Sequence, residues 1–138
     1  MSQNEDLRAD REKKIGRLRE LGINPYPGTT NATYKIEEVS NTFEALERSQ
    51  LEIVVAGRIM ALREHGALAF LDVQDGTGKI QGFCSKEELG EEKFAMLLET
   101  MSTGDFIELT GIAYVTKRGT QAILVRNWNV LGKALQNI

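Results

Sequence analysis

The distribution of hydrophobic and polar positions changes near residue 50 of this 138-residue chain. Before that point, residues 3–21 are mostly charged and carry a thin apolar stripe at helical spacing, which predicts an N-terminal helix. Gly22 and Pro25 follow, and because neither continues a helix, we expect the helix to end there. The stripe consists of Leu7, Ile15, Leu18 and Leu21. It predicts packing along one edge, either against the chain's own domain or against a partner.

The rest of the first fifty residues predicts little regular structure. Residues 24–33 have the composition of a connector, and residues 35–48 predict a short helical piece. From residue 51 the sequence is rich in β-branched and apolar residues, which indicates strands. We therefore predict two units: residues 1–50 form the N-terminal helix and connector, and residues 51–138 form a β-rich domain.

Three consecutive strands are predicted in residues 51–64, 67–75 and 79–85. The first contains Gly57, and a glycine inside a long strand is typical of a bulge. The second and third alternate strictly, so each has an apolar face and a mixed face. The mixed face carries Leu68, Phe70, Asp72, Gln74, Lys79, Gln81 and Phe83.

A helix and a hairpin complete the predicted domain. Apolar residues at helical spacing predict a helix over residues 87–101, and strands over 105–117 and 120–131 flank a tight turn. Three meandering strands, a helix and then a hairpin are the element order of the oligonucleotide/oligosaccharide-binding (OB) fold. The predicted fold class is mainly β with α: a five-stranded Greek-key barrel with a helix between strands three and four, preceded by an N-terminal helix.

Catalytic chemistry has few candidate residues here. Cys84 and His65, the single residues of their types, make neither a nucleophile–base pair nor a zinc site, and we interpret His65 as a turn residue. The Gly-rich segment 75–79 lacks the spacing of a phosphate-binding loop, so we interpret it as a hairpin turn. The acidic residues at 87–92 suit a helix N-terminus better than a metal site. We expect neither an independent active site nor a metal.

The mixed face of the second and third strands is the candidate binding surface. A Phe70 ring among polar neighbours gives up burial, and stacking on an unpaired base is one reason to place it there. Gln81 can donate to and accept from a base edge, and Arg63 can pair with a phosphate or a base carbonyl. The alternative is that Phe70 packs under the N-terminal helix and Gln81 is ordinary surface.

Two further groups on the last hairpin have open interpretations. Lys117 and Arg118 at its tip contact phosphates or are simply solvated turn residues. Trp128 shares a strand parity with Leu124 and Val130, which favours a place in the core or at the barrel rim over a second stacking platform.

The charge balance limits the kind of nucleic-acid binding that is possible. The chain has 17 Lys and Arg against 20 Asp and Glu, a net charge of −3, which argues against general coating of nucleic acid. When the chain is divided into residues 1–50, 51–83, 84–103 and 104–138, only the last segment carries more basic than acidic side chains. Any site must therefore be local, with stacking and hydrogen bonds outweighing bulk charge.

Three segments resemble a known family. They are LRELGINPYP at 18–27, VAGRIMALREHGALAFLDVQDGTGKIQ at 55–81, and the final hairpin ending in GKAL at 132–135. Together they resemble the N-terminal anticodon-binding region of bacterial class II lysyl-tRNA synthetases, from the first helix to the last residue. The OB core alone is also similar to the aspartyl and asparaginyl enzymes.

The resemblance implies roles for particular residues. In that family this domain binds the tRNA anticodon, and Arg63, Phe70 and Gln81 fall on its motif positions. Phe70 would stack on the central anticodon base, a uridine, while Arg63 and Gln81 would hydrogen-bond to its edge. Lysyl enzymes typically read TGEL at the final hairpin, with the Glu contributing to recognition, whereas this chain has Thr120 at that place. Thr120 would offer only a hydroxyl, beside Lys117 and Arg118.

The resemblance also implies what else to expect. The aminoacylation domain, which uses ATP and Mg²⁺, lies beyond this region in the family, so we expect this chain to be non-catalytic and to need no cofactor itself. The expected partners are the tRNA anticodon stem-loop, that catalytic domain and a second copy of the chain. No apolar run approaches bilayer length, and we expect a cytoplasmic location away from membranes. The alternatives are a protein-interaction or dimerisation module, or a free-standing single-stranded nucleic-acid-binding relative.

Overall fold

The computed structural model describes the backbone of residues 3–134 and the side chains of residues 8–134. The side chain of Leu7 and the last four residues of the predicted unit 51–138 lie outside this described part. Five helices are α1 (Gln3–Glu20), α2 (Ile36–Asn41), α3 (Phe43–Ser49), α4 (Lys86–Leu89) and α5 (Glu91–Thr100). Five strands are β1 (Ile53–His65), β2 (Leu68–Gln74), β3 (Lys79–Ser85), β4 (Phe106–Val115) and β5 (Gln121–Gly132).

The strands form a closed barrel in the order β1-β2-β3-β5-β4. Every pair is antiparallel except β3 with β5, which run parallel. The long strand β1 pairs with both β4 and β2, and its register shifts between Ile59 and Ala61, which bends it around the barrel. This topology confirms the predicted five-stranded OB barrel, with helices between strands three and four.

Alternation on β2 and β3 places their apolar residues inside, as predicted. Ala69, Leu71 and Val73 are fully buried, and Ile80 and Cys84 are buried on β3. The intervening residues of both strands point outward and are half-buried or exposed. The mixed face of the prediction is therefore the outer face of this part of the barrel.

The N-terminal segments pack on the same barrel. Ile15 and Leu18 of α1 are buried, whereas Leu21 is exposed. The helix lies against α5, where Arg17 pairs with Glu99. Of the two predicted packing modes, the structure therefore has α1 against the chain's own domain. Helices α2 and α3 contribute to the same core through Ile36, Val39, Phe43 and Leu46. The division of the chain at residue 50 stays a prediction.

Two expectations about the C-terminal half were wrong. The single helix predicted over 87–101 is two helices, because Gly90 has a positive φ of 86° and breaks the helical path between α4 and α5. The strand parity predicted for Trp128 is right for Val130, which is also buried, but wrong for Leu124: a register shift opposite Thr110 and Gly111 leaves Arg126 and Asn127 both exposed. Trp128 thereby turns inward, where it is 1% exposed.

The buried Trp128 ties α5 to β5. Its indole N–H donates to the Lys93 carbonyl oxygen at 3.0 Å, and the Lys93 ammonium donates to the Trp128 carbonyl oxygen at 2.6 Å. The same ammonium lies 4.8 Å from the centre of the indole ring. This confirms that Trp128 belongs to the core and is unavailable as a stacking platform.

Candidate nucleic-acid interface

A concave groove of about 550 Å³ lies over the outer face of β2 and β3 and the β4–β5 hairpin. We call it the aromatic groove. All six residues singled out from the sequence line it: Arg63, Phe70, Gln81, Lys117, Arg118 and Thr120. Five more complete the lining: His65, Leu68, Phe83, Tyr114 and Thr116. None of the eleven belongs to α1, so the alternative in which Phe70 packs under the N-terminal helix is wrong.

Strand register places Phe70 at the centre of one row of side chains. Phe70 on β2 stands opposite Arg63 on β1 and opposite Phe83 on β3. The Phe70 and Phe83 ring centres are 5.3 Å apart at 65°, an edge-to-face arrangement. Phe70 is half-buried by these neighbours and opens into the groove.

Two aromatic residues of the groove were missed from the sequence. Tyr114 of β4 lies 5.6 Å from Phe83, ring centre to ring centre, and extends the aromatic surface toward the hairpin. His65 is the last residue of β1 instead of a turn residue, and its ring contacts Phe70 edge-on at 6.1 Å. Neither contact is visible in a linear pattern, because the residues meet across strands. Phe83 was not missed, because it lies two residues after Gln81 on the same strand and was assigned to the same face.

Arg63 is held by an acidic neighbour. Its two terminal nitrogens donate to the two carboxylate oxygens of Asp72 at 3.1 and 3.2 Å. These hydrogen bonds and the charge of Asp72 raise the pKa of Arg63 above its usual value. Because only two of its five N–H groups are used, three donors remain for other partners.

The β4–β5 hairpin presents Lys117, Arg118 and Thr120 at one side of the groove, where all three are exposed. The turn closes through a backbone hydrogen bond from Thr116 N–H to the Thr120 carbonyl oxygen at 2.9 Å. Gly119 has a φ of 85°, in the left-handed region that favours glycine. The groove thus combines aromatic rings, amide and hydroxyl groups and three cations, which are the groups that bind unpaired nucleotides.

Comparison with known proteins assigns the family. A profile of the OB-fold nucleic acid binding domain matches residues 53–131, more than half of the chain. The chain belongs to this family.

The chain is also similar over nearly its whole length to lysine--tRNA ligases. Those of Fervidobacterium nodosum, Roseiflexus sp. and Chloroflexus aurantiacus are 37%, 38% and 34% identical to it, over 95%, 94% and 94% of the chain. This confirms the resemblance to lysyl-tRNA synthetases. The matches cover 26% or 27% of each ligase, so the chain spans about a quarter of the length of the curated relatives it matches.

The Gly-rich segment of this OB-fold domain is a turn, as predicted. The Asp75 carboxylate accepts hydrogen bonds from the backbone N–H groups of Thr77 and Gly78, at 2.7 and 3.0 Å. Those N–H groups are the ones a phosphate-binding loop would offer to a phosphate. Since Asp75 already occupies them, the segment has no cradle for an anion.

The described residues of the OB-fold domain include few groups suited to metal binding or nucleophilic catalysis. Among them, no group of three His, Cys, Asp or Glu side chains is placed to hold a metal ion. Burial raises the pKa of the Cys84 thiol to about 12, so the thiol stays protonated at neutral pH. None of the helices formed by these residues combines the length and hydrophobicity that crossing a bilayer requires.

Proposed function

We propose that this chain is the anticodon-recognition domain of a lysine–tRNA ligase and that it binds the unpaired anticodon bases of lysine tRNA in the aromatic groove. The observation that carries the proposal is the Phe70 ring, which opens into the groove that Arg63 and Gln81 also line. The similarity to lysine--tRNA ligases over 94–95% of the chain supports the choice of tRNA. The negative net charge supports selective binding over general coating.

Binding would work by stacking first and base reading second. An extruded anticodon base would stack on Phe70, an interaction that contributes about 1–3 kcal/mol per base. Gln81 can donate to and accept from the base edge, whereas Arg63 only donates. Lys117 and Arg118 would neutralise nearby phosphates. Thr120 contributes a hydroxyl, which both donates and accepts, so this position by itself does not distinguish uridine from cytidine.

The proposal assigns charging of the tRNA elsewhere. The aminoacylation step, with its ATP and Mg²⁺, belongs in this view to a catalytic domain that is not part of this chain. That domain and the tRNA would be its partners, in the cytoplasm. The groove would serve the reaction by positioning lysine tRNA, and it would supply no reacting group.

The alternative of a protein-interaction or dimerisation module has less support than the tRNA-binding proposal. It drew on the apolar stripe of α1 and on an outward Phe70. Ile15 and Leu18 of that stripe are buried against the chain's own domain. The burial of Ile15 and Leu18 therefore needs no partner molecule to explain it.

Phe70→Ala tests the proposal. We expect the substitution to weaken binding of a lysine anticodon stem-loop at least tenfold, about 1.4 kcal/mol, because it removes the stacking platform. Phe106→Ala is the matched control: Phe106 is also a strand aromatic, 45% exposed, and it does not line the groove. Fluorescence titration of the labelled stem-loop gives the dissociation constants. Equal affinities of wild type and Phe70→Ala would refute the proposal.

A further inference from the structure

The ion pair between Arg63 and Asp72 is bidentate, although both side chains are well exposed to water. Both carboxylate oxygens meet both terminal guanidinium nitrogens, at 3.1 and 3.2 Å, in a fork-to-fork arrangement. Yet the two side chains are 47% and 41% exposed. Most ion pairs exposed to this degree contribute little to folding because water screens them, although a bidentate Arg–carboxylate pair is the kind that contributes most. A fixed pair beside the aromatic groove also limits where the Arg63 guanidinium can point.

The strand register shows what lies on either side of the pair. Asp72 stands opposite Gln81 on β3, while Arg63 stands opposite Phe70 on β2. Asp72 and Gln81 thus form the row next to the one that contains Arg63, Phe70 and Phe83. Arg63 and Gln81 both line the aromatic groove, whereas Asp72 does not. The carboxylate therefore contacts the guanidinium from outside the groove.

We propose that Asp72 is a positioning residue that holds the Arg63 guanidinium toward the aromatic groove, ready to donate to the edge of a base stacked on Phe70. The inference rests on the proposed function and adds a residue to its specificity. A long side chain loses conformational freedom when it binds a ligand, and Asp72 restricts Arg63 before RNA arrives. The planar guanidinium keeps three N–H donors for RNA after the two bonds to Asp72.

The direction in which RNA affinity changes when Asp72 is replaced distinguishes a positioning role from simple charge repulsion. A carboxylate beside an RNA groove repels phosphates, so an acid without a further role would weaken binding by its presence. Replacing it with a neutral residue would then tighten RNA binding. Replacing a positioning residue would instead weaken RNA binding, because the freed Arg63 side chain would lose more conformational entropy when it binds RNA.

The experiment is a double-mutant cycle on the anticodon stem-loop. We expect Asp72→Asn to weaken binding about fivefold in the wild-type background. In an Arg63→Gln background the same change should have less than about a twofold effect, since the group that Asp72 acts on is gone. Glu64→Gln is the matched control: Glu64 is exposed, follows Arg63 in the chain and does not line the groove. It should leave affinity unchanged or slightly tighter.

An NMR signature of the pair provides a readout that does not need RNA. Arg63 side-chain N–H signals protected from exchange in the wild type should lose that protection in Asp72→Asn and keep it in Glu64→Gln. Tighter or unchanged RNA binding by Asp72→Asn would overturn the inference, and so would an equal loss in the Arg63→Gln background. If wild type and all variants fail to bind the stem-loop, the proposed function fails and the inference fails with it. Protected Arg63 signals would then identify the pair as a surface ion pair only.

Discussion

Gly111 of β4 packs directly against the backbone of β5. A Cβ atom added there would lie 2.0 Å from the carbonyl oxygen of Leu124, which is backbone and cannot rotate away. We therefore expect Gly111→Ala to destabilise the fold by about 2–4 kcal/mol, because the barrel must open locally to admit one methyl group. Chemical denaturation monitored by Trp128 fluorescence measures the loss.

Two other glycines provide a graded comparison. At Gly82 the nearest atom to an added Cβ is a terminal methyl of Leu109 at 2.9 Å, which can shift, so Gly82→Ala should cost less. Gly16 in α1 has no atom within 4 Å of an added Cβ, and alanine favours helix, so Gly16→Ala should be neutral or stabilising. A Gly111→Ala variant as stable as Gly16→Ala would contradict the packing described here.

Individual groove residues differ in how far the sequence could predict them. Phe70 and Gln81 were predictable because β2 and β3 alternate regularly, and alternation alone assigns a residue to a face. The pairing of Arg63 with Asp72 was not, because it depends on the register between β1 and β2, and a bulge in β1 sets that register. Tyr114 reaches the groove because β5 pairs with β3, which brings the β4–β5 hairpin beside Phe83.

At the scale of elements, two carboxylates attach the segment before β1 to the barrel. Glu108 of β4 accepts hydrogen bonds from the Thr30 hydroxyl and the Asn31 N–H at 2.7 and 2.8 Å. Asp75 of the β2–β3 turn accepts one from the first N–H of α2, on Ile36, at 2.9 Å. The connector and α2 thereby have fixed places, although their sequence predicted only a connector and a short helical piece.

These contacts predict how stability depends on pH. Burial alone would raise the pKa of Glu108, and of Asp75 likewise, but the hydrogen bonds outweigh it and hold both below their ordinary values of 4.5 and 3.8. A carboxylate with a lowered pKa in the folded state stabilises the fold above its unfolded pKa. That stability is lost as the pH falls through the folded pKa. We expect the free energy of unfolding to decrease below about pH 4.5, measured by urea denaturation across pH.

Glu108→Gln separates the contribution of Glu108 to stability from that of Asp75. At neutral pH it should reduce the free energy of unfolding by about 1.5–3 kcal/mol, the scale of a hydrogen bond to a charged acceptor. The variant should also lose less stability than the wild type on acidification, since one titrating group is gone. Glu64→Gln removes an exposed carboxylate and should change neither quantity. Parallel pH profiles for wild type and Glu108→Gln would contradict this assignment.

Helix and strand boundaries show where local patterns stop being informative. The apolar residues at helical spacing within 87–101 all follow Gly90, so they carry no information about Gly90 itself, where the backbone separates two helices. On β5 the alternation breaks at the register shift, which moves Trp128 to the inner face. Both errors come from single backbone irregularities, and neither changes the topology, because the order of elements along the chain was correct.

At the scale of the whole molecule, net charge and the groove predict the salt dependence of RNA binding. The chain carries a net charge of −3, and three basic side chains line the groove: Arg63, Lys117 and Arg118. Each phosphate neutralised on a single strand contributes about −0.7 to the slope of log affinity against log salt. With two phosphate contacts from the hairpin, and a third only if Arg63 also reaches a phosphate, we expect a slope of about −1.4 to −2, measured by stem-loop titration over roughly a tenfold range of KCl.

The hairpin cations should account for most of that slope. A double variant, Lys117→Gln with Arg118→Gln, should reduce its magnitude by about 1.4, two contacts at 0.7 each, while keeping the preference for the lysine anticodon. Phe70→Ala should do the reverse: it should lower affinity at every salt concentration without changing the slope, because stacking releases no counterions. A wild-type slope steeper than about −5 would mean that side chains outside the aromatic groove bind phosphates as well. Stacking in the aromatic groove would then not be the main source of affinity.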